Sequence, residues 1–238
     1  MTDAELLRDC KLAPYWWDDV PRPTLPVAPL PAEIDVAVIG AGYTGLHAAL
    51  QTARGGRTTL VLDAEEAGWG CSTRNGGQVS TSIKPSFDAL ARRHGAARAF
   101  EILKEGQRSL AWIAEFVHSE GIDCDFAQVG RFHAAHSRSE FDALAQRVTH
   151  QPKGLEVEAH VVPHSEQRSE LGSDVYRGGV VYRAHCSVHP ARYHQGLLAR
   201  VQAAGAQIAA KTPVLEIRRD ARGFELRTPR GTLRARRS

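Results

Sequence analysis

Three glycines in the pattern Gly40-x-Gly42-x-x-Gly45, followed by Asp63 23 residues after the first, carry the clearest chemistry in this sequence. Each position has a physical task. Gly40 permits a tight turn, Gly42 lets the backbone approach a pyrophosphate, and Gly45 lets a helix pack closely on a strand. The free N–H groups and positive dipole end of a helix starting there face an anion. Asp63 can accept hydrogen bonds from ribose hydroxyls, and its charge argues against a 2′-phosphate. A second glycine-rich loop follows at 65–78 (EEAGWGCSTRNGGQ), with Ser72, Thr73, Arg74, Asn75 and Gln78 as donors. A plain nicotinamide-binding unit would run through another helix to a third strand at this point. A loop of this kind can instead lie against a second phosphate and a flat ring. Arg74 has two readings here, a contact to such a ligand or a structural ion pair.

The elements around these residues supply the context that the glycine pattern needs. Residues 34–39 (IDVAVI) form a short, nearly continuous apolar run, as in a strand buried on both faces. A helix-forming stretch, LHAALQTAR, follows GAGYTG, and 58–62 (TTLVL) reads as a second buried strand ending at Asp63. Residues 86–150 are helical in pattern. Ser86 caps a short helix before Gly95, and a longer one carries Leu110, Ile113, Phe116 and Val117 and stops near Gly121. Ser139 with Asp142 resembles a capping box, and strand-like pieces surround Val129 and Phe132. Runs at 155–162 and 179–182 are β-like, and Pro190 suits the first turn of a helix to about Ala204, with Tyr193, Leu197, Leu198 and Val201 as its stripe. Strands at 207–217 (bent at Pro213), 224–227 and 232–236 make a β-meander.

Ahead of all this, residues 1–33 read as a lead-in, with five prolines from Pro21 to Pro31 favouring an extended linker. Tyr15, Trp16 and Trp17 form an aromatic cluster, either an anchor near a substrate entrance or an arm packed on its own domain. Burial of aromatic area favours packing. The 42% apolar and 24% charged composition excludes a disordered or fibrous chain. Cys10, Cys71, Cys124 and Cys186 are widely spaced and read as free thiols of a reducing compartment. No apolar run reaches the ~20 residues of a membrane span, and the acidic start is no export signal, so a cytoplasmic location is expected. The net charge is +3, yet residues 211–238 hold nine basic and three acidic residues. Those arginines are spread through strand and turn text with only Phe224 as an aromatic platform. They read as a solvated meander edge, and no nucleic-acid partner is expected. The pairs His133/His136 and His185/His189, with His194 nearby, lack the regular-helix setting of metal ligands, so no metal is expected.

Taken together, IDVAVIGAGYTGLHAAL, VLDAEEAGWG and STRNGGQV resemble the FAD-dependent oxidoreductases of the D-amino-acid oxidase superfamily, in the branch of gamma-glutamylputrescine oxidase-like enzymes. Tyr15-Trp16-Trp17, Val129-Gly130-Arg131-Phe132 and HPARYHQGLLARVQAAGA followed by TPV fit the same branch, so the resemblance covers nearly the whole chain. It implies an α/β fold: a Rossmann-like FAD-binding domain (34–85 and 187–238) with an inserted, partial α+β substrate domain (86–186). Carried over by position, Gly40, Ala41, Gly42, Tyr43, Thr44 and Gly45 meet the pyrophosphate, with Asp63 and Ala64 at the ribose. Ser72, Arg74, Asn75, Gly76, Gly77 and Gln78 line the phosphate-to-flavin stretch, and Val214 offers its backbone to the adenine. Cys71 and Thr73 depart from the small residues usual in that loop, and a β-branched Thr would suit it poorly at positive φ.

The implied activity is oxidation of a primary or secondary amine or amino acid by hydride transfer to flavin, with O₂ as acceptor. No protein nucleophile is required, and no catalytic residue is assigned. The resemblance also implies a later sheet-return strand and further substrate-domain segments. Without them the expectation is a truncated chain whose first strand keeps an open edge. The alternatives are a fragment that holds FAD weakly or not at all, an NAD-dependent dehydrogenase, and a basic binding module using the C-terminal arginines.

Overall fold

The structure, a computed structural model, describes residues 8, 10, 11, 13–27 and 29–237. The acidic start at Met1–Glu5, Ala28 of the proline-rich stretch and Ser238 lie outside the described residues. A single turn of helix, α1 (Trp16–Asp19), precedes the proline-rich stretch. Then come β1 (Glu33–Ile39), α2 (Tyr43–Arg54) and β2 (Thr59–Leu62), the expected strand, glycine turn, helix and strand. A 3₁₀ turn at Cys71–Thr73 and the short β3 (Gln78–Val79) lead to α3 (Phe87–His94) and α4 (Ala96–Ser119). Next are β4 (Arg131–Ala134), α5 (Arg138–Thr149), β5 (Ala159–Pro163), β6 (Gly178–Tyr182) and β7 (Cys186–Ser187). The chain continues through α6 (Pro190–Ala203), β8 (Gln207–Ala209), β9 (Glu216–Asp220), β10 (Gly223–Thr228) and β11 (Gly231–Arg237).

These elements form two compact units. The first runs through Gly76, takes in Ile122–Cys124 and resumes at His189. Its six-stranded sheet has the order β8-β2-β1-β11-β10-β9, parallel from β8 to β11 and antiparallel in the meander. All four residues of β2 are buried, as a strand covered on both faces must be. Ile34, Leu60, Leu62, Leu226, Leu233 and Ala235 make one core layer, with Leu30, Val214 and Phe224 packed on it. Helices α2 and α6 pack on each other, and Leu46 and Leu50 of α2 and Leu197 and Leu198 of α6 are buried.

The second unit is Gly77–Gly121 with Asp125–Val188. Its antiparallel sheet, β4-β6-β5, is covered by α5 through Leu144, Phe141 and Val148 against Val180, Val161 and Tyr182. Helices α3 and α4 pack together, and β3 pairs with β7.

Several sequence expectations are corrected. The run at 207–217 is two strands at opposite edges of the sheet. Lys211 turns the chain at positive φ, and the amides of Lys211 and Thr212 donate to the carbonyls of Glu65 and Asp63. The run at 155–162 is extended only from Ala159, because the Gln151 side chain bonds both backbone groups of Val157 and closes the segment on itself. The cap of α5 is Ser137 rather than Ser139: its hydroxyl accepts from Glu140 N–H at 3.1 Å, and the Glu140 carboxylate accepts from His136 N–H at 2.8 Å. Val129 lies outside β4 and is exposed. The open edge expected on β1 is absent over Glu33–Val36, where β11 pairs with it in parallel. Leu233 and Ala235 turn inward there, so apolar burial draws the last meander strand onto the edge.

Candidate functional site

The first unit gathers most of the flagged residues at the carboxyl end of β1. Gly40 turns the chain with φ of 100°, and its amide donates to the Leu62 carbonyl. The next residue, Ala41, is held through both of its backbone groups. Asp63 Oδ2 accepts from Ala41 N–H at 2.6 Å, and His194 Nε2 donates to the Ala41 carbonyl at 2.7 Å. A carbonyl only accepts, so this bond places the imidazole proton on Nε2. Burial holds His194 below the ordinary histidine range, which keeps the ring neutral. Ser72 Oγ accepts from Tyr43 N–H at 2.9 Å and ties the second loop to the first turn of α2.

What remains unspent is equally informative. The amides of Gly42, Thr44 and Gly45 donate to no group among the described residues. They open on a cleft of about 360 Å³ lined by Ile39, Gly40, Thr44, Cys71, Ser72 and Asn75. Side chains would spoil this geometry: a Cβ on Gly42 would sit 2.9 Å from Ser72 Oγ, and one on Gly45 1.9 Å from the Gly40 carbonyl oxygen. The cleft thus presents backbone donors at a helix N-terminus, where a phosphate anion is best served.

Around it, Asp63 also accepts from Glu65 N–H at 2.9 Å, Ala64 is exposed, and Thr212 N–H donates to the Asp63 carbonyl. Val214 stands two residues on, half-buried against the core, with no backbone hydrogen bond among the described residues. Asn75 Nδ2 donates to the carbonyls of Cys71 and Ser72. Arg74 stacks over Trp17 and Trp69, at 4.6 and 4.5 Å from the ring centroids, and its Nε donates to the Trp69 carbonyl. Gly76 closes this unit, whereas Gly77 and Gln78 belong to the second, where Gln78 begins β3. Thr73 is not at positive φ, so the conflict expected of a β-branched residue does not arise. It lies in the 3₁₀ turn and is buried.

His194, which the sequence presents only as a neighbour of the His185/His189 pair, is the contributor to this site that the motifs do not mark. The available signal was its place beside Tyr193 in the buried stripe of α6. His189 caps that helix, its Nδ1 accepting from Arg192 N–H. Tyr43 donates its hydroxyl to the Pro190 carbonyl at 3.0 Å, and burial raises its pKa to about 12. Among the described residues no group of three or more His, Cys, Asp or Glu is arranged to hold a metal. No described helix is long and apolar enough to cross a membrane. On the meander, Arg218 and Arg227 pair with Glu216, and Arg234 pairs with Asp220 and Glu225.

A parallel sheet, a glycine turn opening a helix, and an acid ending the next strand define a Rossmann-like dinucleotide-binding α/β protein. Residues 35–237 match the family described as FAD dependent oxidoreductase (DAO), and the chain belongs to it. It is 30% identical over 221 residues to the "Probable oxidoreductase OrdL" of Rhizobium meliloti, covering 90% of this chain and 50% of that protein. It is 28% identical to the Gamma-glutamylputrescine oxidoreductase of Escherichia coli, over 77% of this chain and 43% of that one. The chain therefore spans about half the length of the curated relatives it matches. In fold it is similar to glycine oxidase from Geobacillus kaustophilus, with a TM-score of 0.76 and 20% identity over 87% of this chain and 54% of that one. FAD is the cofactor that the family's description names. The unspent amides and the cradle kept open by Gly42 and Gly45 fit its pyrophosphate.

Proposed function

We propose that this chain is the FAD-holding part of an oxidoreductase that oxidises a small amine or amino acid, with O₂ as the electron acceptor. In this reading residues 34–85 and 187–238 form the FAD domain, and 86–186 form part of a substrate domain. One observation carries it: Gly42, Thr44 and Gly45, whose amides have no acceptor among the described residues, line an open cleft beside Ala41, both of whose backbone groups are held. The pyrophosphate would lie on those amides. Fixing the donors beforehand removes the ordering cost when the anion arrives. Asp63 retains acceptor capacity beyond its two backbone bonds, since an ionised carboxylate has about four lone-pair positions. Two ribose hydroxyls can therefore donate to it. The open backbone groups of Val214 suit the edge of the adenine. Ser72 and Asn75 line the same cleft and would extend the contact along the cofactor.

The chemistry supplied by bound FAD is acceptance of a hydride equivalent from a C–H bond beside a neutral amine nitrogen. Overall the substrate loses two electrons and two protons to become an imine, and O₂ gains them as H₂O₂. Water then splits the imine into a carbonyl compound and an amine or ammonia. The similarity to a gamma-glutamylputrescine oxidoreductase and to a glycine oxidase supports an amine or amino acid as the substrate class.

The test is direct. The purified chain is mixed with FAD, desalted and scanned for visible flavin absorption, and H₂O₂ is then assayed over a panel of amines and amino acids. Retained flavin with amine-dependent peroxide is the expected result. A folded protein that retains no flavin would overturn the cofactor assignment, and retained flavin without peroxide would overturn the oxidase assignment.

A further inference from the structure

The aromatic cluster before the linker does more than cover its own surface. Trp16 Nε1 donates to the Asn75 carbonyl at 2.8 Å, and Trp17 Nε1 donates to Thr73 Oγ1 at 2.9 Å. The Thr73 hydroxyl in turn donates to the Gly68 carbonyl at 2.5 Å, so the bond from Trp17 continues across the base of the loop. Two guanidinium groups stack on the Trp17 ring, Arg22 at 4.0 Å and Arg74 at 4.6 Å from its centroid. Arg74 continues the stack onto Trp69. Arg22 also pairs with Glu66 at 2.8 Å, which fastens the start of the same loop.

The arm is itself anchored on α6. Asp19 pairs with Arg192 at 2.8 Å and lies 3.1 Å from His189 Nε2, while Gln195 donates to the Pro21 carbonyl. The edge of the Trp16 ring meets His189 at a centroid separation of 4.7 Å. A segment far away in sequence therefore bridges the cap of α6 and the loop 66–75. That loop has little regular structure of its own beyond one 3₁₀ turn. It nevertheless supplies the Ser72 oxygen that holds Tyr43 N–H at the start of α2.

We propose that the N-terminal arm is a positioning strap for the cofactor loop, with Trp17 as the residue through which it acts. The proposal rests on the reading that the cleft takes FAD. Trp17 need not touch the cofactor. It sets the course of the loop through Thr73 and Arg74, and the loop in turn sets Ser72 and Asn75. Without the strap, the loop must be ordered each time the dinucleotide binds, and that cost appears as weaker affinity.

The test uses the 238-residue chain and its variants Trp17→Leu, Trp17→Phe and Arg74→Gln. Backbone hydrogen exchange is followed without FAD, and FAD affinity is measured by titration with flavin fluorescence. Trp17→Leu is expected to speed exchange in 71–75 by about tenfold, as for a lost hydrogen bond and ring contact, while amides of β1 and β2 keep their rates. FAD affinity should weaken by a similar factor. Trp17→Phe keeps a ring without its N–H and should fall between. Arg74→Gln should reproduce the local loosening with the tryptophan intact, which preserves the test should Trp17→Leu fail to fold. Wild-type loop exchange and FAD affinity in Trp17→Leu would overturn the strap. So would a uniform rise in exchange across the unit, the signature of general destabilisation. If the wild-type chain binds no FAD, the cofactor reading falls, and loop exchange alone decides whether the strap exists.

Discussion

Replacing Gly45 with Ala tests the glycine turn more sharply than any other single change. The added Cβ would lie 1.9 Å from the Gly40 carbonyl oxygen, 3.1 Å from its carbon and 3.2 Å from Val38 Cγ1. Non-bonded heavy atoms settle at about 3.5 Å, so relief requires a movement of about 1.5 Å. The obstructing atom is backbone, and it belongs to a turn tied by the Gly40 amide to the Leu62 carbonyl. No rotamer change can absorb the clash. Alanine recovers up to ~1 kcal/mol of helix propensity, while overpacking costs about 1–3 kcal/mol or more. The upper part of that range applies here because backbone must move, leaving a net loss of about 2 kcal/mol. At roughly 2–4 °C per kcal/mol for a chain of this size, the melting temperature should fall by about 4–8 °C. Circular dichroism melts give the stability, and FAD titration gives the affinity, which should fall because the amides of α2 shift with the helix. Gly172→Ala is the control: nothing stands within 4 Å of its Cβ position, and it should stay within about 0.5 kcal/mol of wild type. A Gly45→Ala protein as stable as wild type, with unchanged FAD affinity, would refute the close-packing argument.

Acid should destabilise the fold before its carboxylates titrate. Burial holds His47, His133, His185 and His194 below the ordinary value of about 6.5, so the unfolded chain binds more protons as pH falls through that value. Stability is therefore full above about pH 6.5 and declines below it; denaturant midpoints measured down to about pH 5 should show the slope, and His194→Gln should make it shallower. An unchanged slope in that variant would remove His194 from the account. Ser137→Ala deletes the cap of α5 and should cost about 1 kcal/mol in urea unfolding, whereas Ser139→Ala should cost less than half of that. Leu233→Ala, at a fully buried position of β11, should cost about 2–5 kcal/mol, and hydrogen exchange should rise at the β1 amides it covers. Unchanged exchange there would mean that β11 does not hold the edge of β1.

The elements legible in the sequence are those set by local chemistry. The pattern from Ile34 to Asp63 declares strand, turn, helix and strand, because buried β-runs, glycine turns and a helix start are all short-range signals. The helix from Pro190 declares itself in the same way. The misread segments depend on partners far away or on side chains that substitute for backbone. Residues 155–157 look like a strand, but Gln151 takes both backbone hydrogen bonds of Val157, and Leu155 bonds Pro152 and Gln107. Residues 207–217 look like one strand, but their two ends serve opposite edges of a sheet. Ser139 with Asp142 resembles a capping box, but the cap falls to Ser137, which has Glu140 three residues on to complete the reciprocal bond.

The candidate site divides along the same line. Spacing by itself determined the strand, glycine turn, helix and strand that end in the acid at Asp63, and the family resemblance of those motifs implied the fold class. Tertiary structure decided how that turn is held. His194 comes from a helix some 150 residues away to bind the Ala41 carbonyl, Trp17 comes from the lead-in to bind Thr73, and β11 closes the edge of β1. Such contacts have no spacing rule in the sequence, because they join elements whose distance along the chain carries no information about their distance in space.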